Sequence, residues 1–281
     1  MSGKNSGKNP DLRDFSGVLL LVGAGKMGGA LLEGWLRLGL EPSQIAVLEP
    51  QPSPQLARLA ERGIRLNPEP AALADVAAIV IAVKPQTAAP AIAALVPLIS
   101  AATVVVSIMA GRTLQFLAGA LTRPCALVRA MPNTPAAIGR GITVAVPRNV
   151  SAAQRDLVDL LLAATGAVDW IDDEALMDAV TAVSGSGPAY VFLLAEALAR
   201  AGVAAGLPAE LAGKLARETV AGAGELLHRS ALDAAVLREN VTSPGGTTAA
   251  ALAVLMADNG LAPLLEKAVA AATARSRELA G

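Results

Sequence analysis

Residues 17–36 read GVLLLVGAGKMGGALLEGWL. An unbroken apolar run, a G-x-G-x-x-G turn and a helical pattern follow one another, the order that opens a dinucleotide-binding βαβ unit. Gly23 allows the tight turn, Gly25 lets the backbone approach a pyrophosphate, and Gly28 permits close packing of helix on strand, while the helix start attracts negative charge. Gly23, Gly25, Lys26, Met27 and Gly28 are therefore cofactor-binding candidates.

The rhythm continues downstream. IAVLE (45–49), VAAIVIAV (76–83), TVVVSI (103–108) and CALVRAM (125–131) are continuous apolar runs, as expected of strands covered by helices on both faces. Met27 to Leu38 and Ser53 to Arg62 suit crossover helices, with Ser53 as an N-cap. GITVAVP (141–147), a helix from about Ser151 and GAVDWI (166–171) extend the sheet at one edge. From Asp172 onward the strand signals stop, and Ala, Leu and Glu dominate between breaks at SGSGP (184–188), GLP (206–208) and SPGG (243–246). The expected fold class is α/β: a Rossmann-type doubly wound sheet over 16–171 and an all-helical domain over 172–281. The polar start, residues 1–15, reads as a disordered leader without the apolar segment of a signal peptide. Alanine-rich helices bury little area each, so a homodimer through the helical half is expected.

Composition narrows the function. With 281 residues, net charge −1, 53% hydrophobic and 2% aromatic residues, the chain offers neither a basic surface for nucleic acid nor stacking platforms. The uncharged stretch Pro85 to Gly111 is broken by three prolines and reads as a short helix and a buried strand, not a membrane span. Cys125 is the single cysteine, compatible with a reducing cytoplasm and read as a buried bystander. No HExxH, carboxylate loop or cysteine cluster supports a metal. The remaining partner class is a small polar ligand.

Glu49 ends the second strand, 21 residues beyond Gly28, where an acid can hydrogen-bond the adenosine ribose hydroxyls; the alternative is a solvent-facing strand-end carboxylate. An acid there disfavours a 2′-phosphate, and no Arg or Lys stands between Glu49 and Arg58, so the local sequence leans to NADH over NADPH, with weak reception of a phosphate by Gln51 and Ser53 as the alternative. AVKPQ (82–86), SIMAG (107–111) and RAMPNTPAAIG (129–139) follow strands at the edge where open α/β sheets bind ligands. They supply Val83, Lys84, Pro85, Ala110 and Asn133 as further cofactor-binding candidates, with loop solvation as the alternative for Lys84 and ordinary turn chemistry for Ala110 and Asn133.

The single histidine, His228, lies near a helix end and reads as a capping or surface residue; the single tyrosine, Tyr190, begins an apolar helix face. Glycine-rich loops with hydroxyls and N–H groups but almost no acid or base suit reduction of a cyclic imine better than oxidation of an alcohol, which calls for a base. VTSPGGTT (241–248) supplies the second glycine-rich helix start, with Thr247 or Thr248 expected to cap it and a carboxylate as the expected guest.

With GAGKMG, AVKPQ, SIMAG, RAMPNTP, SGSGPAYVF and LRENVTSPGGTTAAAL in this order, the sequence resembles the pyrroline-5-carboxylate reductases from about Val18 to the last helix. The resemblance implies reduction of 1-pyrroline-5-carboxylate to L-proline by NADPH or NADH, a Rossmann domain followed by a dimerisation domain, and dimers that often assemble further, commonly into decamers. It implies that Ser243, Gly245, Gly246, Thr247 and Thr248 bind the substrate carboxylate, through N–H groups around Gly246 and Thr247 and the Thr248 hydroxyl, at a site completed by a neighbouring subunit. Thr248 is the candidate catalytic residue, placed to hydrogen-bond the ring nitrogen. Family members often prefer NADPH, whereas Glu49 argues for NADH. A β-hydroxyacid dehydrogenase is the nearest rival, yet its catalytic lysine has no counterpart in AYVFLLAEALAR after SGSGP. A non-catalytic dinucleotide sensor is the other alternative, disfavoured by the intact second loop.

Overall fold

The computed structural model describes residues 11–280. One compact unit runs to Gly185 and takes back the chain from Arg275, and the other is Ser186–Ala274.

The first unit is built on eight strands, β1 (Val18–Val22), β2 (Ile45–Leu48), β3 (Arg65–Leu66), β4 (Val76–Ile81), β5 (Val104–Ser107), β6 (Ala126–Met131), β7 (Gly141–Arg148) and β8 (Gly166–Trp170), in the order β3-β2-β1-β4-β5-β6-β7-β8. All pairings are parallel except β6 with β7. Strand order reverses between β1 and β4, the switch point at which such sheets open a crevice beyond their carboxyl ends. The eight strands include the seven expected runs; β3 is an edge strand of two residues in GIRLN, too short to announce itself by pattern.

Helices α1 (Lys26–Arg37), α2 (Pro54–Glu61), α3 (Ala88–Ala93), α4 (Leu114–Leu121), α5 (Ala152–Ala163) and α6 (Met177–Val180) cross between or follow the strands. Alternation along β1 shows why its apolar run is continuous: Leu19 and Leu21 belong to the core under α1, α2 and α5, while Val18, Leu20 and Val22 belong to the core under α3 and α4. Trp35 of α1 is fully buried and its indole N–H donates to the Leu161 carbonyl at 2.8 Å, so the largest core side chain brings its polar atom already satisfied. The Ser53 hydroxyl accepts from the Leu56 N–H at 3.2 Å, the cap expected there, and Ser151 with Gln154 forms a reciprocal capping box on α5.

The expected leader lies outside the described residues up to residue 10. Beyond that Leu12 is 2% exposed and donates its N–H to the Leu38 carbonyl, and the Gln44 amide donates to the Phe15 carbonyl, so residues 12–15 pack against this unit. The reason is apolar: Leu12 and Phe15 complete the core beside α1.

The second unit is helical: α7 (Gly187–Ala204), α8 (Ala209–Arg229), α9 (Ala234–Asn240), α10 (Thr247–Leu255) and α11 (Leu261–Ala280), whose last residues from Arg275 count with the first unit. Gly202 lets α7 approach α8, since a Cβ there would stand 3.2 Å from the Ala212 Cβ. Among the described residues of this unit only Ala212 and Ala216 are buried. Phe192 is 68% exposed and Val254 73% exposed, with Leu193, Leu194, Met256 and Leu264 in the same state. A helical unit with two buried alanines does not supply a core of its own.

Candidate active site

Gly23 sits at φ +92°, a conformation that disfavours a side chain, and its N–H donates to the Leu48 carbonyl at 2.8 Å, joining the glycine turn to the end of β2. A Cβ on Gly28 would lie 2.1 Å from the Gly23 carbonyl oxygen, so α1 starts as close to β1 as backbones permit. Gly25 is different: nothing stands within 4 Å of where its Cβ would be, and it caps α1 without a side-chain hydrogen bond. Open space above Gly25 at a helix start leaves N–H groups of α1 facing a ligand, as a pyrophosphate requires. Residues forced close at Gly28 and left open at Gly25 fit a dinucleotide.

A cleft of about 690 Å³ lies over this turn, lined by Gly23, Gly25, Glu49, Pro50, Gln51, Val83, Lys84 and Thr87 among others. It occupies the crevice between the carboxyl ends of β1 and β4. Of the candidate cofactor residues, the cleft therefore gathers Gly23, Gly25, Glu49, Val83 and Lys84. Lys26 lines a second depression of about 220 Å³ beside it, with Gly25, Glu33, Ser53 and Gln55. Met27 is half-buried against the core and Gly28 is buried. Pro85 begins a short 3-10 turn, Pro85–Thr87, and its carbonyl accepts from Arg112 at 3.2 Å. Ala110 is exposed beyond β5, and Asn133 follows β6 with its side-chain oxygen accepting from the Ile142 N–H at 3.0 Å, so that amide pins the loop to β7.

Glu49 is not a free strand-end carboxylate. One carboxylate oxygen accepts from the Ala24 N–H at 2.8 Å and the other from the Gln51 N–H at 3.1 Å. Its backbone is held as well: the Glu49 N–H donates to the Asn67 side-chain oxygen at 2.8 Å, and the Asn67 side-chain N–H donates to the Glu49 carbonyl at 2.9 Å. Asn67 carries no strand signal in the sequence, where it follows only the two residues of β3 and precedes Pro68.

In the second unit, the SPGG turn enters α10. Gly245 has φ +68°, and the Gly246 N–H donates to the Ser243 carbonyl at 3.0 Å. Two expectations change here. Gly246, not Thr247 or Thr248, is the N-cap, and no side chain caps the helix. The Gly246 N–H is consumed by the turn and is not a free donor: the first helical bond is Ala250 N–H to Gly246 carbonyl, leaving the N–H groups of Thr247, Thr248 and Ala249 without helical partners. Ser243, Gly245 and Thr247 are exposed and Thr248 is half-buried.

SGSGP marks another local departure. Residues Thr181–Gly185 form a π-helical turn, with the Ser184 hydroxyl donating to the Val180 carbonyl at 3.0 Å, before α7 starts with its proline in the first positions. His228 lies in the last turn of α8 and Tyr190 is half-buried on α7. Burial pushes the Cys125 thiol up from its ordinary range. Among the described residues no group of three His, Cys, Asp or Glu side chains is placed to hold a metal ion.

Comparison with known proteins agrees with both halves of this geometry. A family described as "Pyrroline-5-carboxylate reductase dimerisation" matches residues 174–279, and one described as "NADP oxidoreductase coenzyme F420-dependent" matches residues 18–111. The chain is 42% identical to a pyrroline-5-carboxylate reductase of Pseudomonas aeruginosa, over 93% of this chain and 96% of the relative. It is 38% identical to that of Pisum sativum, over 96% and 98%. Among solved structures, a pyrroline-5-carboxylate reductase from Coxiella burnetii superposes with a TM-score of 0.87 at 32% identity, covering 94% of this chain and 99% of that one. A Plasmodium falciparum pyrroline carboxylate reductase with NADP bound gives 0.78 at 30% identity, covering 95% and 99%. The chain belongs to the pyrroline-5-carboxylate reductase family of NAD(P)H-dependent oxidoreductases.

Proposed function

We propose that this chain reduces 1-pyrroline-5-carboxylate to L-proline, with Thr248 as the catalytic-site hydroxyl. The observation that carries the assignment of roles is the start of α10, where three successive N–H groups stand unpaired behind a glycine turn. Such a helix end attracts a carboxylate. The N–H groups of Thr247, Thr248 and Ala249 hold the substrate carboxylate, and Ser243, Gly245 and Gly246 shape the turn that exposes them. The Thr248 hydroxyl accepts a hydrogen bond from the protonated ring nitrogen.

NADH or NADPH, when bound, supplies the hydride to the imine carbon. The C=N electron pair then becomes the lone pair of the ring nitrogen, whose proton has come from solution, and the product is a cyclic secondary amine. No residue of the chain has to accept a proton from carbon or oxygen, which matches loops poor in acids and bases. Gly23, Gly25, Lys26, Met27 and Gly28 form the pyrophosphate turn, Glu49 faces the adenosine ribose, and Val83, Lys84, Pro85, Ala110 and Asn133 border the same sheet edge toward the nicotinamide.

The working form in this reading is a cytoplasmic homodimer, with further association toward a decamer. A second copy covers the apolar sides of the helical unit, including Phe192 and Val254, and this cover takes the place of any membrane or nucleic-acid partner. The test follows loss of reduced-nicotinamide absorbance with 1-pyrroline-5-carboxylate and identifies the product. Proline formation is expected; nucleotide binding without turnover would overturn the assignment.

A further inference from the structure

The adenosine end of the cleft is built around one carboxylate that the fold immobilises. Glu49 has each carboxylate oxygen on a backbone N–H, one from the glycine turn itself and one from Gln51. Its main chain is clamped on both sides by the Asn67 amide, and Asn67 reaches that position from the end of β3 at φ +48°, with its own N–H on the Val47 carbonyl at 2.8 Å. Each oxygen keeps a lone-pair direction for a ribose hydroxyl. Neither can swing away from an anion without breaking a bond to the backbone. The residues that follow, Pro50, Gln51, Pro52 and Ser53, bring no cation to offset a second negative charge.

We infer that this chain selects NADH over NADPH, and that Asn67 is the positioning residue that makes Glu49 selective. This rests on reading the cleft as the nucleotide site. A 2′-phosphate would place about two negative charges beside a carboxylate that is fixed in place, whereas a 2′-hydroxyl donates a hydrogen bond to it. A mobile acid rotates out toward solvent and discriminates weakly. The Ala24 and Gln51 N–H groups hold the carboxylate against that escape, and the Asn67 clamp fixes the backbone from which it projects.

The test is binding of NADH and NADPH to the purified full chain, read by nucleotide fluorescence without substrate, alongside turnover on 1-pyrroline-5-carboxylate. Unaltered protein is expected to bind NADH about tenfold or more tighter than NADPH. Glu49→Ser brings the ratio near one. Asn67→Gly accepts the left-handed backbone without strain, so it is expected to fold with a modestly lower melting temperature, from the two lost hydrogen bonds, while lowering the ratio several-fold. Asn67→Ser, whose single shorter hydroxyl replaces the two separate amide atoms that bridge the N–H and carbonyl of Glu49, shifts the ratio in the same direction should the glycine variant fail to fold.

Equal affinities in the unaltered protein overturn the preference. An unchanged ratio in both Asn67 variants overturns the positioning role. Failure to bind either nucleotide overturns this inference together with the nucleotide site. Selective binding without turnover supports it while removing the proposed reaction.

Discussion

The Arg129 guanidinium on β6 lies 2.8 Å from the Glu174 carboxylate, with the arginine side chain 6% exposed and the glutamate 28%. The same glutamate oxygen accepts the Leu114 N–H at 2.8 Å, at the start of α4. One carboxylate therefore ties the middle of the sheet, a covering helix and the segment leading into α6. Removing one partner from a largely buried pair leaves the other charge uncompensated, which costs about 3–5 kcal/mol. Glu174→Ala is expected to lose stability on that scale in denaturant titrations. Glu174→Gln combined with Arg129→Met should be more stable than Glu174→Gln alone, because no orphan charge remains. Additive losses in that double variant would show that the pair is not coupled.

Gly28 and Gly25 separate packing from ligand approach within one turn. A methyl group on Gly28 would meet the Gly23 carbonyl at 2.1 Å, a backbone contact that no rotamer relieves. Gly28→Ala should cost about 1–3 kcal/mol of stability and displace the turn, with nucleotide binding lost in parallel. Gly25→Ala meets nothing within 4 Å and has an ordinary φ of −67°. It should leave the melting temperature unchanged and weaken nucleotide binding about tenfold by crowding the pyrophosphate. A stable Gly25→Ala protein with undiminished affinity would move the pyrophosphate elsewhere.

These contrasts show where sequence pattern carries and where it stops. β1, β2, β4, β5 and β6 are readable because helices cover both faces of the sheet there, so each is a continuous apolar run, as Leu19 to Val22 illustrate, whereas β7 and β8 lie toward the sheet edge with part of each strand exposed. The glycine turn was readable because its constraints are local. β3 was not, since two residues establish no period. Asn67 with Glu49 and Arg129 with Glu174 are invisible for a different reason: the partners are 18 and 45 residues apart, and the first pair is brought together by the pairing of β2 with β3 and the second by the fold of the segment after β8. At α10 the two threonines looked like caps by composition, but the turn hydrogen bond from Gly246 to Ser243 shifts the helix start by one residue and hands the capping position to glycine.

Cys125 offers a check on local environment. Desolvation raises its thiol above the ordinary value, and a raised thiol has less thiolate at any given pH below that value. Alkylation of the folded protein by iodoacetamide at mildly alkaline pH should be several-fold slower than that of a free cysteine peptide, with the rate still climbing beyond the pH at which the peptide levels off. Equal rates and a common plateau would place the thiol in water.

Thr248 tests the second loop. Its hydroxyl is not used to cap α10, since Gly246 holds that position, so removing it takes no hydrogen bond from the helix start. Thr248→Ala should therefore leave the melting temperature and the nucleotide affinity unchanged. The loss falls on the substrate: a hydrogen bond to a charged ring nitrogen is worth about 1.5–3 kcal/mol, which is about ten- to a hundredfold in kcat/KM for 1-pyrroline-5-carboxylate. Gly245→Ala acts through the backbone instead, because φ +68° costs an alanine about 1–2 kcal/mol. It should raise KM by reshaping the turn and lower stability as well. Thr248→Ala losing nucleotide and substrate affinity equally would show that its hydroxyl supports the fold of the site, not the ring of the substrate.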